Sequence, residues 1–319
     1  MPDTTKPVLA MLGGATPAVR ERLAERFEIS EGTDDDLPSR AGEAVAVSVY
    51  AGAPCSAATI DAMPNAKVIG NYGVGYDSID AAHAASRGII VTNTPDVLND
   101  EVANTAILLL LATDRKLVEY DRFVRDGRWE KDGAPPLTKG IRGRTVGIVG
   151  LGRIGGTIAE KLETAFGARI AYHSRSKKDV PYNYYADLIE MARASDALIV
   201  ITPGGPETEK LISREVMEAL GPDGTLVNVA RGPVVDEAAM VDLLQSGKLG
   251  AAGLDVFERE PHVPQALRDM SHVVLTPHVG SATRETRAAM GDLMVDNIIA
   301  VTEGKAPLTP VGECADLVR

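Results

Sequence analysis

Short runs of β-branched and apolar residues alternate with helical patterns along almost the whole chain. Residues 8–12, 45–49, 67–70 and 89–91 are brief apolar runs bounded by turn-forming residues, the signature of buried strands. Between them, helical spacing covers residues 17–28, 56–62 and 78–87. The first of these helices starts well, with Thr16 as cap and Pro17 in the first turn. Residues 99–126 read as one long helix, apolar on most faces in its first half and therefore expected between domains. A second series begins at Thr145, with strands expected at 145–149, 169–172, 197–201, 225–229, 251–255 and 273–275. Helices are expected at 153–166, 187–194, 213–220, 236–245 and 283–302. Residues 31–36 read as an acidic surface loop, and 132–136 as a turn-rich connector. Strands that alternate with helices imply right-handed crossovers and a parallel sheet covered on both faces. Two such series predict an α/β protein of two doubly wound domains.

Composition narrows this picture. A chain of 319 residues suits about two ordinary domains. Apolar residues make up 45% and charged residues 24%, a globular balance, but only 4% are aromatic. The cores must therefore be built from Val, Ile, Leu and Ala. A formal charge of -12 disfavours nucleic acid and anionic membranes as partners. Cys55 and Cys314 are far apart and fit no metal-ligand spacing, so no metal is expected and both read as ordinary thiols. The first six residues lack the apolar core of a signal peptide, and the longest apolar run, residues 106–112, is too short for a bilayer. A cytoplasmic setting is the expectation.

The sharpest local signal is Gly150-Leu151-Gly152-Arg153-Ile154-Gly155. It follows an expected strand and opens an expected helix, which is the context a dinucleotide-binding turn requires. The first glycine permits the tight turn, the second lets backbone approach a pyrophosphate, and the third lets helix pack on strand. The helix N-terminus then offers free N–H groups to phosphate. The end of the next strand discriminates between cofactors. A carboxylate there accepts from the ribose 2′-hydroxyl of NAD. This chain instead has Tyr172-His173-Ser174-Arg175-Ser176-Lys177-Lys178, with no acid before Asp179. A 2′-phosphate favours cations and hydroxyl donors. Ser174, Arg175, Ser176 and Lys177 supply them, so NADPH is expected, with NADH weaker.

Three further segments end expected strands in polar residues. They are Val227-Asn228-Val229-Ala230-Arg231-Gly232, Gly253-Leu254-Asp255-Val256-Phe257-Glu258-Arg259-Glu260-Pro261 and Leu275-Thr276-Pro277-His278-Val279-Gly280-Ser281. Ligands of open α/β sheets bind outside the carboxyl ends of strands, so all three segments deliver side chains to one rim. In the first series, Asn71-Tyr72-Gly73-Val74-Gly75-Tyr76-Asp77 also follows a strand, and its backbone N–H groups suit a carboxylate.

With these motifs together, the chain resembles the D-isomer-specific 2-hydroxyacid dehydrogenases over nearly its whole length. Within that family it is similar to the NADPH-dependent glyoxylate/hydroxypyruvate and hydroxyphenylpyruvate reductases. The resemblance implies two Rossmann-like, flavodoxin-like domains with the active site in a cleft between them. It implies a discontinuous substrate-binding domain of residues 1–98 and 287–319, and a cofactor domain of residues 99–286. It implies Arg231, Glu260 and His278 as catalytic, and Val74 and Gly75 as donors to the substrate carboxylate beside Arg231. Cofactor contacts are implied for Thr202, Pro203, Thr208, Val229, Ala230, Asp255 and Gly280, with Thr202 standing where many relatives carry a His. Trp129 lies in a segment that resembles the family's dimer arm, so a homodimer is expected.

The chemistry agrees with those roles. Reducing a keto acid requires hydride at carbon and a proton at oxygen. His is best poised to give that proton near neutral pH, and a carboxylate beside it favours the imidazolium and orients the ring. Arg231 suits the substrate carboxylate and the keto oxygen. Other 2-hydroxyacid specificities, of gluconate or phosphoglycerate type, stay open. So does a dinucleotide-sensing binding protein on the same fold.

Overall fold

A computed structural model describes residues 6–50 and 52–318. The apolar runs form two sheets in which every strand pair is parallel. The first unit spans residues 1–98 and 283–319, and the second spans 99–282. The last segment of the first unit begins where Thr283 caps the final helix, four residues ahead of the boundary expected at 287.

The first sheet has five strands: β1 (Val8–Leu12), β2 (Glu28–Gly32), β3 (Ala44–Tyr50), β4 (Val68–Tyr72) and β5 (Ile90–Thr92). Their order is β2-β1-β3-β4-β5, the flavodoxin-like arrangement. β2 replaces part of the expected acidic loop at 31–36. Its sequence, Glu-Ile-Ser-Glu-Gly, is polar because an edge strand pairs on one side only, so the apolar pattern that betrays inner strands is absent. Residues of β1, β3 and β4 are buried throughout their centres, as expected of a sheet covered on both faces. The final helix, Arg284–Thr302, packs on β4, where Gly70 leaves room for Ile298 and Met294.

The second sheet has seven strands: β6 (Thr145–Val149), β7 (Arg169–His173), β8 (Asn183–Tyr184), β9 (Ala197–Val200), β10 (Thr225–Asn228), β11 (Ala251–Leu254) and β12 (Val273–Leu275). The order β12-β11-β10-β9-β6-β7-β8 is that of a dinucleotide-binding fold with one added strand. Its switch point lies between β6 and β9, which leave the sheet to opposite sides. The core of this unit is aliphatic, with Phe257 the one phenylalanine in its main buried cluster.

The long helix expected over residues 99–126 is instead two helices, Asn99–Asp114 and Leu117–Arg125, and a third, Arg128–Asp132, follows them. Lys116 turns into the left-handed region, φ 53°, and breaks the first from the second. Asp114 anchors the break: its buried carboxylate accepts from Thr225 Oγ1 at 2.6 Å and pairs with Arg144. That tertiary tie has no counterpart in local helical spacing. Among the described residues, no helix is long and apolar enough to cross a membrane, and no cluster of acidic, His and Cys side chains is arranged to hold a metal ion.

Candidate active site

Three adjacent strands of the second sheet, β10, β11 and β12, are followed by segments that carry Arg231, Glu260 and His278 respectively. The Arg231 turn is stitched by the buried Asn228 side chain. Its Oδ1 accepts from the Ala230 amide at 3.0 Å, and its Nδ2 donates to the Arg231 carbonyl at 3.0 Å. Gly232 then presses against the next segment: a Cβ there would lie 1.9 Å from the Phe257 carbonyl carbon. Only glycine allows the backbones carrying Arg231 and Glu260 to approach so closely.

Glu260 is held at both oxygens. Oε1 accepts from the Phe257 amide at 3.0 Å, and Oε2 meets His278 Nδ1 at 2.7 Å. Burial pushes the Glu260 carboxyl up, but the His278 hydrogen bond, the Phe257 amide and the Arg231 charge outweigh it and hold the group below its ordinary range. An ionised carboxylate only accepts, so the proton between the two residues sits on His278 Nδ1. Nε2 is then the nitrogen free to exchange a proton with a bound molecule. The His278 side chain is 48% exposed and that of Glu260 35%, so the pair is open on one side. Glu237, whose carboxylate takes the Glu258 amide at 3.1 Å, braces the same turn from a neighbouring helix.

His278 has φ 53°, an uncommon backbone state for a residue other than glycine. Asp255 holds it there. The Asp255 carbonyl takes the His278 N–H at 2.8 Å, and its carboxylate takes Thr276 Oγ1 at 2.6 Å and the Val279 and Gly280 amides at 2.8 Å each. Three donors leave about one of the four acceptor positions of this buried carboxylate for a ligand. Neither Asp255 as an organiser of the His278 turn nor Asn228 was marked by local pattern; each role needs a partner from another segment.

The Gly150–Gly155 turn stands at the switch point of the sheet. Gly150 has φ 103°, and a Cβ on it would meet the Ile201 carbonyl oxygen at 2.9 Å. A Cβ on Gly155 would lie 2.1 Å from the Gly150 carbonyl oxygen. Gly152 caps the helix Arg153–Phe166 without a side-chain hydrogen bond, and a Cβ on it would meet nothing. Leu151 is buried beneath the turn, and Ile154 follows Arg153 in the first helical turn. Beyond β9, the buried Thr202 Oγ1 has no hydrogen-bond partner among the described residues, while Thr208 Oγ1 closes its loop on the Pro203 carbonyl at 2.7 Å. An open helix N-terminus, an unpartnered hydroxyl across the switch point and buried Val229 and Ala230 beside it form a cradle that fits a dinucleotide.

After β7, the Tyr172 hydroxyl donates to the Lys178 carbonyl at 3.2 Å and accepts its amide at 2.8 Å. Residues 174–177 are thereby turned around the ring as an exposed loop. Ser174 Oγ donates to the Ser176 carbonyl at 2.7 Å. Arg175 is 94% exposed and makes a loose surface pair with Glu207 at 3.9 Å. Lys177 is also exposed.

In the first unit, Val74 and Gly75 follow β4 in a turn whose carbonyls are engaged by side-chain amides. Asn71 Nδ2 donates to the Gly73 and Gly75 carbonyls at 3.0 and 2.9 Å, and Asn93 Nδ2 to the Val74 carbonyl at 2.8 Å.

Known proteins share this architecture. Residues 107–280 match the family model for the D-isomer specific 2-hydroxyacid dehydrogenase, NAD binding domain. A hydroxyphenylpyruvate reductase of Plectranthus scutellarioides is 49% identical over 299 residues, covering 92% of this chain and 95% of that protein. A glyoxylate/hydroxypyruvate reductase A of Arabidopsis thaliana is 49% identical over 267 residues, 83% of this chain and 85% of that one. The solved NADPH-dependent glyoxylate/hydroxypyruvate reductase of Sinorhizobium meliloti, in complex with NADP and malonate, superposes with a TM-score of 0.92 at 47% identity, over 97% of this chain and 98% of that one. Sequence and fold together show that this chain belongs to the D-isomer specific 2-hydroxyacid dehydrogenase family and is an NAD(P)-dependent oxidoreductase.

Proposed function

We propose that this protein uses NADPH to reduce small 2-keto acids, namely glyoxylate, hydroxypyruvate and aryl pyruvates, to D-2-hydroxy acids. The observation that carries this reading is the 2.7 Å pair of His278 and Glu260 beside the Arg231 turn at one sheet rim. Bound NADPH supplies the hydride. His278 Nε2, in the imidazolium form, gives the proton to the developing alkoxide. Glu260 holds the ring through Nδ1 and offsets its charge while the proton is present. Arg231 binds the substrate carboxylate and polarises the keto oxygen, a task suited to a planar guanidinium with a stitched backbone. The Val74 and Gly75 amides, in the first unit, are donors suited to a carboxylate. Residues 150–155 hold the pyrophosphate, Thr202, Pro203, Thr208, Val229, Ala230 and Gly280 line the nucleotide's path, and Asp255 keeps one acceptor for its carboxamide.

The preference for NADPH over NADH rests on the loop after β7. Ser174, Arg175, Ser176 and Lys177 carry donors and cations, and none of the four is an acid. Homodimer formation rests on the helices Leu117–Arg125 and Arg128–Asp132. Neither buries a residue in the monomer, and they expose Leu117, Val118, Val124 and a Trp129 that is 62% accessible. Light scattering on a size-exclusion column checks that state, and a monomer refutes it.

The test of function is oxidation of NADPH and of NADH, followed by absorbance, with glyoxylate, hydroxypyruvate and phenylpyruvate in turn. Turnover that favours NADPH is the expected result. Turnover with a clear NADH preference overturns the cofactor assignment alone. Tight dinucleotide binding without turnover of any 2-keto acid overturns the enzymatic reading in favour of a dinucleotide sensor.

A further inference from the structure

The 73–75 turn of the first unit is aimed by its carbonyls. A trans peptide points its C=O and the following N–H in opposite directions within one plane. The Gly73 carbonyl accepts from Asn71 Nδ2 at 3.0 Å and from the Thr94 amide at 2.9 Å, so the Val74 N–H in that plane faces away from both donors. The Val74 carbonyl accepts from Asn93 Nδ2 at 2.8 Å, so the Gly75 N–H faces away from Asn93. Among the described residues, neither the Val74 nor the Gly75 N–H has a protein acceptor.

Asn93 is held in turn. Its carbonyl accepts from Thr309 Oγ1 at 2.6 Å, and its amide donates to the Thr309 carbonyl at 3.2 Å. Thr309 is fixed by Asn297, whose side chain is fully buried on the final helix. Asn297 Nδ2 donates to Thr309 Oγ1 and to the Leu293 carbonyl, both at 2.8 Å, and Oδ1 accepts the Leu308 and Thr309 amides at 2.9 and 3.0 Å. Every hydrogen-bonding position of that amide is used. A second tie crosses the same region, from the Tyr76 hydroxyl to Glu313 Oε2 at 3.1 Å. With the buried, fully satisfied Asn297 at its centre, the network permits one arrangement and penalises others.

We propose that Asn93, braced through Thr309 by Asn297, is a positioning residue that sets affinity for the substrate carboxylate by aiming the Gly75 amide. The role rests on the 2-keto acid reading above. Asn93 does not touch substrate; it acts through the peptide plane between Val74 and Gly75. Such an interaction is made equally before and during hydride transfer, so its loss raises KM and leaves kcat nearly unchanged.

The experiment is steady-state kinetics with the preferred keto acid, NADPH titration by fluorescence and calorimetric titration of oxamate, an unreactive mimic. Asn93→Ala raises KM and weakens oxamate about 10- to 100-fold, the range for a hydrogen bond to a charged group, with kcat and the NADPH Kd within about twofold. Thr309→Val keeps the shape of the side chain but removes its hydroxyl, and shifts KM the same way by less. Thr309→Ser restores the wild-type value. An unmoved KM and oxamate affinity in both Asn93→Ala and Thr309→Val overturn the role, as does a parallel fall in kcat and NADPH affinity, which marks a merely structural network. A wild type that reduces no 2-keto acid overturns the functional reading itself, and is told apart because it needs no variant.

Discussion

Two turns in this molecule present backbone N–H groups beyond the end of a parallel strand, and they are built in opposite ways. The 150–155 turn leads directly into the 14-residue helix Arg153–Phe166, and its shape is imposed by close backbone contacts at Gly150 and Gly155. The 73–75 turn leads into no helix. Its shape is imposed by the side chains of Asn71 and Asn93, and a Cβ on Gly73 would meet nothing closer than 3.5 Å. The first design suits a doubly charged pyrophosphate, because the helix end adds its dipole to the N–H groups. The second suits a single carboxylate, for which two aimed donors suffice. Glycine spacing leaves a mark in sequence, whereas scattered asparagines do not.

The contrast is open to direct attack. The largest expected effect lies outside both turns and calibrates them: His278→Asn removes the proposed proton donor and lowers kcat by about 10²- to 10⁴-fold in the steady state, with the NADPH Kd unchanged. Next, Gly155→Ala drives a methyl into the Gly150 carbonyl, and the overpacking costs ~3 kcal/mol or about 100-fold in NADPH affinity, read by fluorescence titration. A variant that binds NADPH normally would show that the turn is not held by that contact. Arg175→Ala lowers the ratio of NADPH to NADH efficiency by about tenfold, the scale of one exposed charge-assisted contact, and an unchanged ratio removes Arg175 from the phosphate site. Gly73→Ala completes the comparison with the smallest effect, a KM within about threefold of wild type, since its new methyl makes only ordinary contacts.

Acid titration sharpens the catalytic side of the same picture. The folded value of Glu260 lies below its ordinary 4.5. The stabilisation from its pairing is therefore complete above 4.5 and is lost as the pH falls through the lower folded value. Thermal melts of wild type and Glu260→Gln, followed from neutral pH downward, should converge in that acidic window. Curves that stay parallel would mean that the carboxylate gains nothing from His278.

The inner strands were legible because a strand covered on both faces is mostly apolar, as β1 and β9 are throughout. The edge strands β2 and β8 were not, since one free side relaxes that demand and leaves polar sequences such as Glu-Ile-Ser-Glu-Gly. Helical periodicity likewise ran through Lys116, where the chain in fact breaks, because Asp114 is pinned by Thr225 and Arg144 from distant segments. Within the candidate site, Arg231, Glu260 and His278 stood out as polar ends of apolar strands. Asn228, Asp255 and Glu237, which hold those turns in place, look in isolation like ordinary polar residues.

The sequence by itself determined two parallel-sheet domains, a dinucleotide turn and the rim on which polar residues gather, because periodicity and glycine spacing are local consequences of backbone geometry. Only the tertiary structure decided which polar groups meet: that His278 turns its Nδ1 to Glu260, that Gly232 admits the neighbouring backbone, and that Asn93 aims a peptide plane from Thr309 and Asn297. Such pairings join segments tens to hundreds of residues apart. Each depends on strand order and register, which no local pattern encodes.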